Sequence, residues 1–224
     1  MALLLNIDTA VQSASICLTD GEKILGVSFN PSGKDSASWL HVAIEQLLRQ
    51  QDVSLKQVQG IAISAGPGSY TGLRVGMAAA KGLCYALNIP LITINTLQLI
   101  AASAGAVSTD LLCPMIDARR MEVFTALYDR SLQEVSPSTN LILDEASFSD
   151  RLAEHTICFL GNGIEKASSV IRHKHAIFLS VETSAADMAI LSAKKFDAVK
   201  FSDLAYTEPF YGKDFHSSVS KKIY

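Results

Sequence analysis

The chain has 224 residues, of which 18% are charged and 49% are hydrophobic, and its net charge is −3. This apolar content is enough to build a packed core, which excludes a disordered chain. The acidic balance, with a pI near 5.9, argues against a stand-alone nucleic-acid binder, which normally carries a basic surface. An average globular protein has about 25% charged residues. The scarcity of charge therefore suggests a surface that is partly covered by a partner.

The first residues predict neither secretion nor membrane insertion. No Lys or Arg precedes the opening apolar run, and Asp8 interrupts that run early, which is unlike a signal peptide. No apolar stretch approaches the roughly 18 residues that a membrane span needs. The four cysteines are far apart and lack Cys-x-x-Cys spacing, so we expect buried, reduced thiols. These features together predict a cytoplasmic protein.

The first half of the chain opens with three short apolar strands and then alternates helices and strands. The strands follow from short apolar runs separated by turn residues, and the helices from apolar residues at helical spacing. In chain order we expect strands at Leu3–Asp8, Ala14–Leu18 and Ile24–Phe29, a helix at Ser36–Gln51, a strand at Val58–Ser64, a helix at Thr71–Leu87, a strand at Pro90–Ile94 and a helix at Thr96–Ala106.

The second half repeats this order. Ile7–Asp8 recurs as Ile116–Asp117, 109 positions later, and such a period predicts an internal duplication. We therefore expect two related halves, residues 1–108 and 109–224, with a short tail at Thr207–Tyr224. Within the second half we expect a hairpin from Leu111, a third strand at Leu132–Leu143, a helix at Glu145–Glu154, a strand at Ile157–Leu160, a helix at Ile164–Arg172, a strand at Ala176–Leu179 and a helix at Ala185–Phe196.

Alternating strands and helices predict an α/β fold with mixed sheets covered by helices. Two such halves resemble the duplicated actin-like ATPase (ASKHA, ribonuclease-H-like) fold of actin and the sugar kinases. That resemblance implies a nucleotide in the cleft between the halves, faced by the acids that end the first strands. The candidate nucleotide-facing residues are Asp8, Asp117, Arg119, Gly161 and Gly163. The alternative is that the two acids cap turns or pair with Arg119 or Arg120.

The segment Gly66–Gly76 is rich in glycine but fits no common phosphate-binding or nucleophile motif. It lacks the Gly-Lys-Ser/Thr of a P-loop, the third glycine of Gly-x-Gly-x-x-Gly and the spacing of Gly-x-Ser-x-Gly. A capped strand-to-helix turn is the plain structural interpretation. The helix that follows contains Gly72, Gly76 and Gly82, each costing about 1 kcal/mol relative to alanine. We expect these glycines to permit a close helix contact, inside the chain or with a partner.

Three segments together resemble the TsaB (YeaZ) family, and the resemblance covers the whole chain. They are Gly66–Gly76, Met115–Val123 and Glu208–Tyr211. The resemblance implies a non-catalytic scaffold or activator subunit required for threonylcarbamoyladenosine modification of tRNA. It also implies a TsaD-type catalytic partner and a TsaE-type ATPase in the assembly. The acidity of the chain favours only indirect contact with tRNA, and the chain alone is expected to form a homodimer.

The resemblance places the partner interface on the first-half helices. The candidate residues are Trp39, Leu40, Leu47, Thr71, Arg74, Gly76, Met77 and Lys81. The catalytic relatives carry a metal-binding His-x-x-x-His pair, and Thr96 and Ile100 stand at the matching positions here. Since isoleucine cannot ligate a metal, we expect no metal site, no catalytic residue and no tightly bound cofactor. ATP and Mg²⁺ are expected only in the complex.

Two alternative functions remain open from the sequence. One is an ATP-binding phosphotransferase of the sugar-kinase and actin superfamily, with Asp8 and Asp117 acting in metal-assisted phosphoryl transfer. The other is a glycoprotease-type metallopeptidase.

Overall fold

The computed structural model of the protein describes residues 1–11, 13–30 and 35–212. The tail expected at Thr207–Tyr224 is therefore described only as far as Gly212, and its remainder lies outside the described residues. Within this part, no helix combines the length and the apolar character that a membrane span requires.

The first half consists of a five-stranded sheet and three α-helices. The three opening strands pair antiparallel, and the next two add to the first strand in parallel. In chain order the elements are β1 (Leu3–Asp8), β2 (Ser15–Asp20), β3 (Lys23–Phe29), α1 (Ser36–Gln50), a 3₁₀ turn (Leu55–Gln57), β4 (Gly60–Ser64), α2 (Tyr70–Leu87), β5 (Leu91–Ile94) and α3 (Thr96–Ala102).

The second half builds a second five-stranded sheet by the same plan. Its first three strands form an antiparallel meander; its fourth strand pairs in parallel with the first, and its fifth pairs in parallel with the fourth. The elements are β6 (Leu111–Asp117), β7 (Glu122–Asp129), β8 (Glu134–Ile142), α4 (Ser149–Glu154), β9 (Ile157–Leu160), α5 (Ile164–Val170), β10 (Ala176–Leu179), a 3₁₀ turn (Ala185–Met188) and α6 (Ala189–Asp197).

The two sheets have equivalent strand orders, β3-β2-β1-β4-β5 and β8-β7-β6-β9-β10. Each order places the hairpin on one side of the first strand and the parallel strands on the other. This equivalence confirms the predicted duplicated actin-like fold. The aspartates predicted to end the first strands do so, because β1 ends at Asp8 and β6 ends at Asp117.

Two element boundaries that depart from the predictions do so for local reasons, one because of a side-chain hydrogen bond and one because of a left-handed backbone. Helix α3 ends at Ala102 rather than Ala106. The Ser103 hydroxyl donates to the carbonyl of Ile100 at 2.7 Å, and such bonds compete with helix propagation. Strand β8 begins at Glu134, because Leu132 adopts a left-handed φ of 63° in the turn before it.

The last helix of each half is exchanged between the sheets. Helix α3 packs on the second sheet, and α6 with its preceding 3₁₀ turn packs on the first. The backbone N–H of Ala185 donates to the Ser15 hydroxyl at the end of the first sheet, at 2.8 Å. The division of the chain between residues 108 and 109 remains a prediction. Each of these two helices belongs to one half in sequence and packs on the sheet of the other half.

After α6 the chain runs back along the first half through residues 200–212, here called the terminal strap, which contains a turn at residues 204–206. The backbone N–H of Ser202 donates to Leu91 at the edge of β5, at 2.8 Å. The backbone N–H of Phe210 donates to Ala65 just beyond β4, at 2.7 Å. Main-chain hydrogen bonds therefore fix the strap to the first half.

The thiols are buried as predicted. All four cysteines are free and buried. Burial raises the pKa of Cys17, Cys84 and Cys113 to about 12. Because the thiolate is the reactive form, these side chains act as small apolar core residues.

The glycines of α2 have two different surroundings. A Cβ on Gly72 would lie 1.9 Å from the carbonyl oxygen of Thr9, and a Cβ on Gly76 would lie 2.2 Å from the Thr9 hydroxyl. A Cβ on Gly82 would meet nothing within 4 Å. The close contact predicted from these glycines is thus made inside the chain by Gly72 and Gly76, against the turn after β1.

This difference predicts opposite effects of the same substitution. Gly72→Ala should lower the free energy of unfolding by about 2–3 kcal/mol, because the added methyl overlaps a backbone carbonyl that cannot move freely. The matched control, Gly82→Ala, should raise it by about 0.5–1 kcal/mol through helix propensity alone. Urea denaturation of both variants measures the difference. Equal effects of the two substitutions would contradict the contact between α2 and Thr9.

Candidate functional site

A cleft between the two halves holds a cavity of about 550 Å³. The turn after β1 and the first turn of α2 form one wall, which includes Thr9 and Thr71. Asp117, Phe124 and Asn162 line the opposite wall. The structure thus brings the end of β6 and the turn after β9 opposite the glycine-rich start of α2.

Asp8, predicted to face a nucleotide, lies beneath the cleft wall and has no exposed surface. Its Oδ1 accepts hydrogen bonds from the Ser64 hydroxyl at 2.6 Å and from the backbone N–H of Ala10 at 3.0 Å. Its Oδ2 is buried without a hydrogen-bond partner. Burial, with a smaller contribution from the nearby carboxylate of Asp187, raises the pKa of Asp8 to about 6.

Asp117 occupies the equivalent position of the second half but is exposed and fully charged. Its carboxylate forms an ion pair with Lys166 at 2.7 Å and accepts the backbone N–H of Arg119 at 2.6 Å. The hydrogen bond from Lys166 is the main reason that its pKa is lowered. As the alternative interpretation held, Asp117 caps its turn through the backbone N–H of Arg119, but the cation beside it is Lys166 and not an arginine side chain. The duplication therefore produces one buried acid and one exposed carboxylate.

Arg119 and Arg120 form the tight turn between β6 and β7. Both have left-handed backbones, with φ of 71° and 48°, and both are exposed. Such conformations are uncommon outside glycine. The turn is closed by the backbone N–H of Glu122, which donates to Arg119 at 3.1 Å. The predicted nucleotide contact of Arg119 stays a prediction.

The glycines of the turn Gly161–Gly163 are explained by close packing of the turn on β6. Gly161 has a φ of +97°, and a Cβ there would lie 2.5 Å from the Met115 carbonyl oxygen. The backbone N–H of Gly163 donates to that same oxygen at 3.1 Å. The glycines let the turn pack on β6, and the side chain between them, Asn162, faces the cleft. Asn162 also accepts the backbone N–H of Asp117 at 2.9 Å, a role that sequence reasoning missed although the Gly-Asn-Gly spacing pointed to this turn.

The glycine-rich segment before α2 serves close backbone packing. A Cβ on Gly68 would lie 2.5 Å from the Ala10 carbonyl oxygen, and the backbone N–H of Ser69 donates to that oxygen at 2.8 Å. The Ser69 hydroxyl accepts the backbone N–H of Gly72 at 3.2 Å and so caps the helix. The capped strand-to-helix turn inferred from the sequence is the arrangement observed.

Thr96 and Ile100, the positions expected to match the metal-binding histidines of catalytic relatives, are buried. The Thr96 hydroxyl accepts the backbone N–H of Gly66 at 3.0 Å. Ile100 packs in the apolar layer between α3 and the second sheet. Among the described residues, no three His, Cys, Asp or Glu side chains come together in a way that could hold a metal ion.

Burial corrects much of the predicted partner interface. Leu40, Leu47 and Met77 belong to the core between the first sheet and helices α1 and α2. Gly76 is buried against Thr9. These four residues lie on the inner faces of α1 and α2, so they are buried in the chain's own core. Trp39 is half-buried against the same core.

The exposed part of these helices offers a different set of residues. A groove of about 440 Å³ runs between α1 and α2, lined by His41, Val75, Ala78 and Gly82 among others. Thr71 lines the cleft instead, and Arg74 is exposed on α2 beside Tyr70, whose hydroxyl it contacts at 2.7 Å. Lys81 donates to the terminal strap.

Comparison with known proteins agrees with this architecture. A family model described as "TsaD: tRNA N6-adenosine threonylcarbamoyltransferase" matches residues 22–207. The tRNA threonylcarbamoyladenosine biosynthesis protein TsaB of Bacillus subtilis is 30% identical over 162 residues, which cover 71% of this chain and 70% of that protein. The chain belongs to the TsaB family. The Escherichia coli TsaB protein is 32% identical over 132 residues, 57% of this chain and 55% of that one.

Solved structures of the family share the fold. A Pseudomonas aeruginosa protein described as similar to peptidase YeaZ superimposes with a TM-score of 0.84 at 22% identity, covering 95% of this chain and all of that one. YeaZ of the same organism gives a TM-score of 0.79 at 23% identity, covering 94% and 100%. Membership of the TsaB family assigns the chain to tRNA threonylcarbamoyladenosine biosynthesis.

The state of Asp8 predicts a pH-dependent stability. The folded chain holds the Asp8 proton more tightly than the unfolded chain does. Between about pH 4 and pH 6 Asp8 loses its proton in the unfolded chain but largely keeps it in the folded chain. The free energy of unfolding therefore falls as the pH rises through this range. Asp8→Asn keeps the acceptor for Ser64 and removes the charge, so it should stabilise the fold at pH 7.5 by about 1–3 kcal/mol. The gain should vanish below about pH 4, where both states of the wild type are protonated.

Asp117→Asn is the matched control and should have the opposite sign. It removes a partly exposed ion pair, so the loss at pH 7.5 should stay under about 1 kcal/mol. Thermal unfolding of the three proteins between pH 4 and 8 measures both effects. A destabilising Asp8→Asn at neutral pH would contradict the assignment of Asp8 as a strained buried acid.

Proposed function

We propose that this TsaB-family chain is a non-catalytic subunit that activates a TsaD-type threonylcarbamoyl transferase. The observation that carries the proposal is the pair Thr96 and Ile100, buried where the catalytic relatives are expected to hold metal. A hydroxyl committed to the backbone of Gly66 and an isoleucine cannot replace two imidazole ligands.

The proposed contact with the catalytic subunit lies on the groove between α1 and α2. The groove is apolar and its floor is made of small side chains, including Ala78 and Gly82. Small residues let a partner helix approach closely, and ridges of such a helix fit into grooves of this kind. The same face serves self-association of the chain when the partner is absent.

A charge in this groove should block assembly. Ala78 is exposed and lines the groove, so Ala78→Glu should abolish co-elution with the TsaD-type subunit in size-exclusion chromatography at micromolar concentration, because the carboxylate would be buried unpaired. The matched control is Ala153→Glu on α4, where the side chain is exposed on the second half. Two separate peaks for the wild-type chain and the TsaD-type subunit would overturn the proposal.

The remaining assembly follows from this role. We infer that a TsaE-type ATPase joins the pair of subunits and that tRNA is held mainly by other members of the assembly, because this chain is acidic. ATP with Mg²⁺ would belong to the complex and not to the isolated chain. The close packing of Gly68 on Ala10 and the burial of Asp8 favour this view, since neither offers a phosphate or a metal ion an open ligand.

Nucleotide binding separates this proposal from a phosphotransferase. We expect calorimetry with Mg²⁺-ATP to give no measurable heat for the isolated chain and a clear binding isotherm for the complete assembly. Tight binding by the isolated chain that is lost in Asp117→Ala would favour the phosphotransferase, because Asp117 is the strand-ending acid that lines the cleft. Asp20→Ala, an acid at the far end of the first hairpin, is the control for an unspecific loss of charge.

A further inference from the structure

Exposed aromatic rings are concentrated on one region of the surface. Among the described residues, six aromatic side chains are exposed, and every one except Phe29 belongs to α2 or to the terminal strap. The other five are Tyr70, Tyr85, Phe201, Tyr206 and Phe210. Single exposed rings are ordinary, but a concentration on two adjoining elements is typical of an interaction surface.

The strap lies along α2, so its exposed rings and those of α2 border the same stretch of surface. The Lys81 ammonium donates to the carbonyls of Ala205 and Thr207, at 3.1 Å each. Tyr85 lies one helical turn beyond Lys81 on α2, and Tyr206 lies between the two strap residues whose carbonyls Lys81 contacts. Tyr85 and Tyr206 are 82% and 85% exposed.

Backbone hydrogen bonds hold the strap, and the Phe210 ring stays largely exposed. The N–H of Phe210 donates to Ala65 at 2.7 Å, and Gly66 permits this approach, since a Cβ there would lie 1.9 Å from the Phe210 carbonyl oxygen. The Phe210 side chain is still 51% exposed. Because the strap backbone is already ordered, covering it with a partner adds little loop-ordering entropy to the cost of binding.

We propose that Tyr85, Tyr206 and Phe210, here called the aromatic patch, extend the partner-binding face from the α1–α2 groove onto the terminal strap. This inference rests on the proposed function, and the occupant is the same TsaD-type subunit. Helices of 15 and 18 residues lying side by side present a flat face of roughly 500 Å². A standard interface takes about 800 Å² from each partner. The strap adjoins that face and supplies the missing area.

The charges of the strap favour a protein over RNA as the occupant. Aromatic rings also stack on unpaired bases, but such sites carry a positive groove for the phosphates. On the strap, Asp203 and Glu208 outnumber Lys200, and the neighbouring Lys81 ammonium is engaged by carbonyls of the strap. Within residues 200–212, apolar rings are therefore not accompanied by a row of basic side chains.

The test uses a double variant of the most exposed rings, Tyr85→Ser with Tyr206→Ser, in the full-length chain. Calorimetric titration with the TsaD-type subunit should show binding weakened about tenfold or more relative to wild type, as expected for aromatic interface residues. Ile142→Ser is the matched control, because Ile142 is 70% exposed on the second sheet, and its affinity should stay within about twofold of wild type. Unchanged melting temperatures exclude unfolding as the cause.

Hydrogen exchange supplies a second readout that needs no substitution. Amides of residues 203–211 should gain protection when the wild-type chain binds the partner. Wild-type affinity of the double variant, or unchanged exchange in the strap, would overturn the inference and leave the proposed function standing. Failure of the wild-type chain to bind would overturn the proposed function itself. Binding of an anticodon stem-loop RNA by the chain alone, lost in the double variant, would assign the patch to RNA instead.

Discussion

The structure depends on one close backbone contact, between the turn after β1 and the first turns of α2. Gly68 and Gly72 have no side chain there because the carbonyls of Ala10 and Thr9 occupy the space. The contact fixes the position of α2 on the sheet. It thereby determines the groove with α1, one wall of the cleft and the surface on which the terminal strap lies. It also closes the end of β1 over Asp8, which is why that acid is buried.

The same contact accounts for the asymmetry between two halves of equivalent topology. In the second half the corresponding turn is a tight hairpin at Arg119 and Arg120, and it leaves Asp117 at the cleft, paired with Lys166. Burial thus raises the pKa of one strand-ending acid, whereas an ion pair lowers the pKa of the other. The duplication preserved the strand order and let the two acids diverge.

Much of the architecture follows from local pattern. Alternating apolar residues and repeated Ile-Asp strand ends predicted both hairpins, and helical spacing predicted every α-helix to within a few residues. The site was harder to predict. The apolar stripe with Leu40 and Leu47 was assigned to a partner, because periodicity shows that a helix has an apolar face but not what covers it. The glycines of α2 predicted a close contact. They could not identify Thr9 as its partner, because Thr9 lies more than sixty residues earlier in the chain.

Packing between segments that are distant in sequence could not be predicted from any local pattern. Nothing near Ala185 in sequence indicates that its N–H meets Ser15, 170 positions away. The exposed rings of the strap were equally hidden, because a segment rich in polar and aromatic residues looks like a loose tail until its backbone partners at Leu91 and Ala65 are known.

The exchange of α3 and α6 has a consequence for the order in which the chain folds. Helices α1 and α2 can cover one face of the first sheet as soon as they leave the ribosome. The opposite face stays open to water until residues 185–197 have been synthesised. Contacts of such large sequence separation form slowly, and incomplete sheets expose apolar surface during that time. The nascent first half must therefore wait for nearly the whole chain before its core is closed.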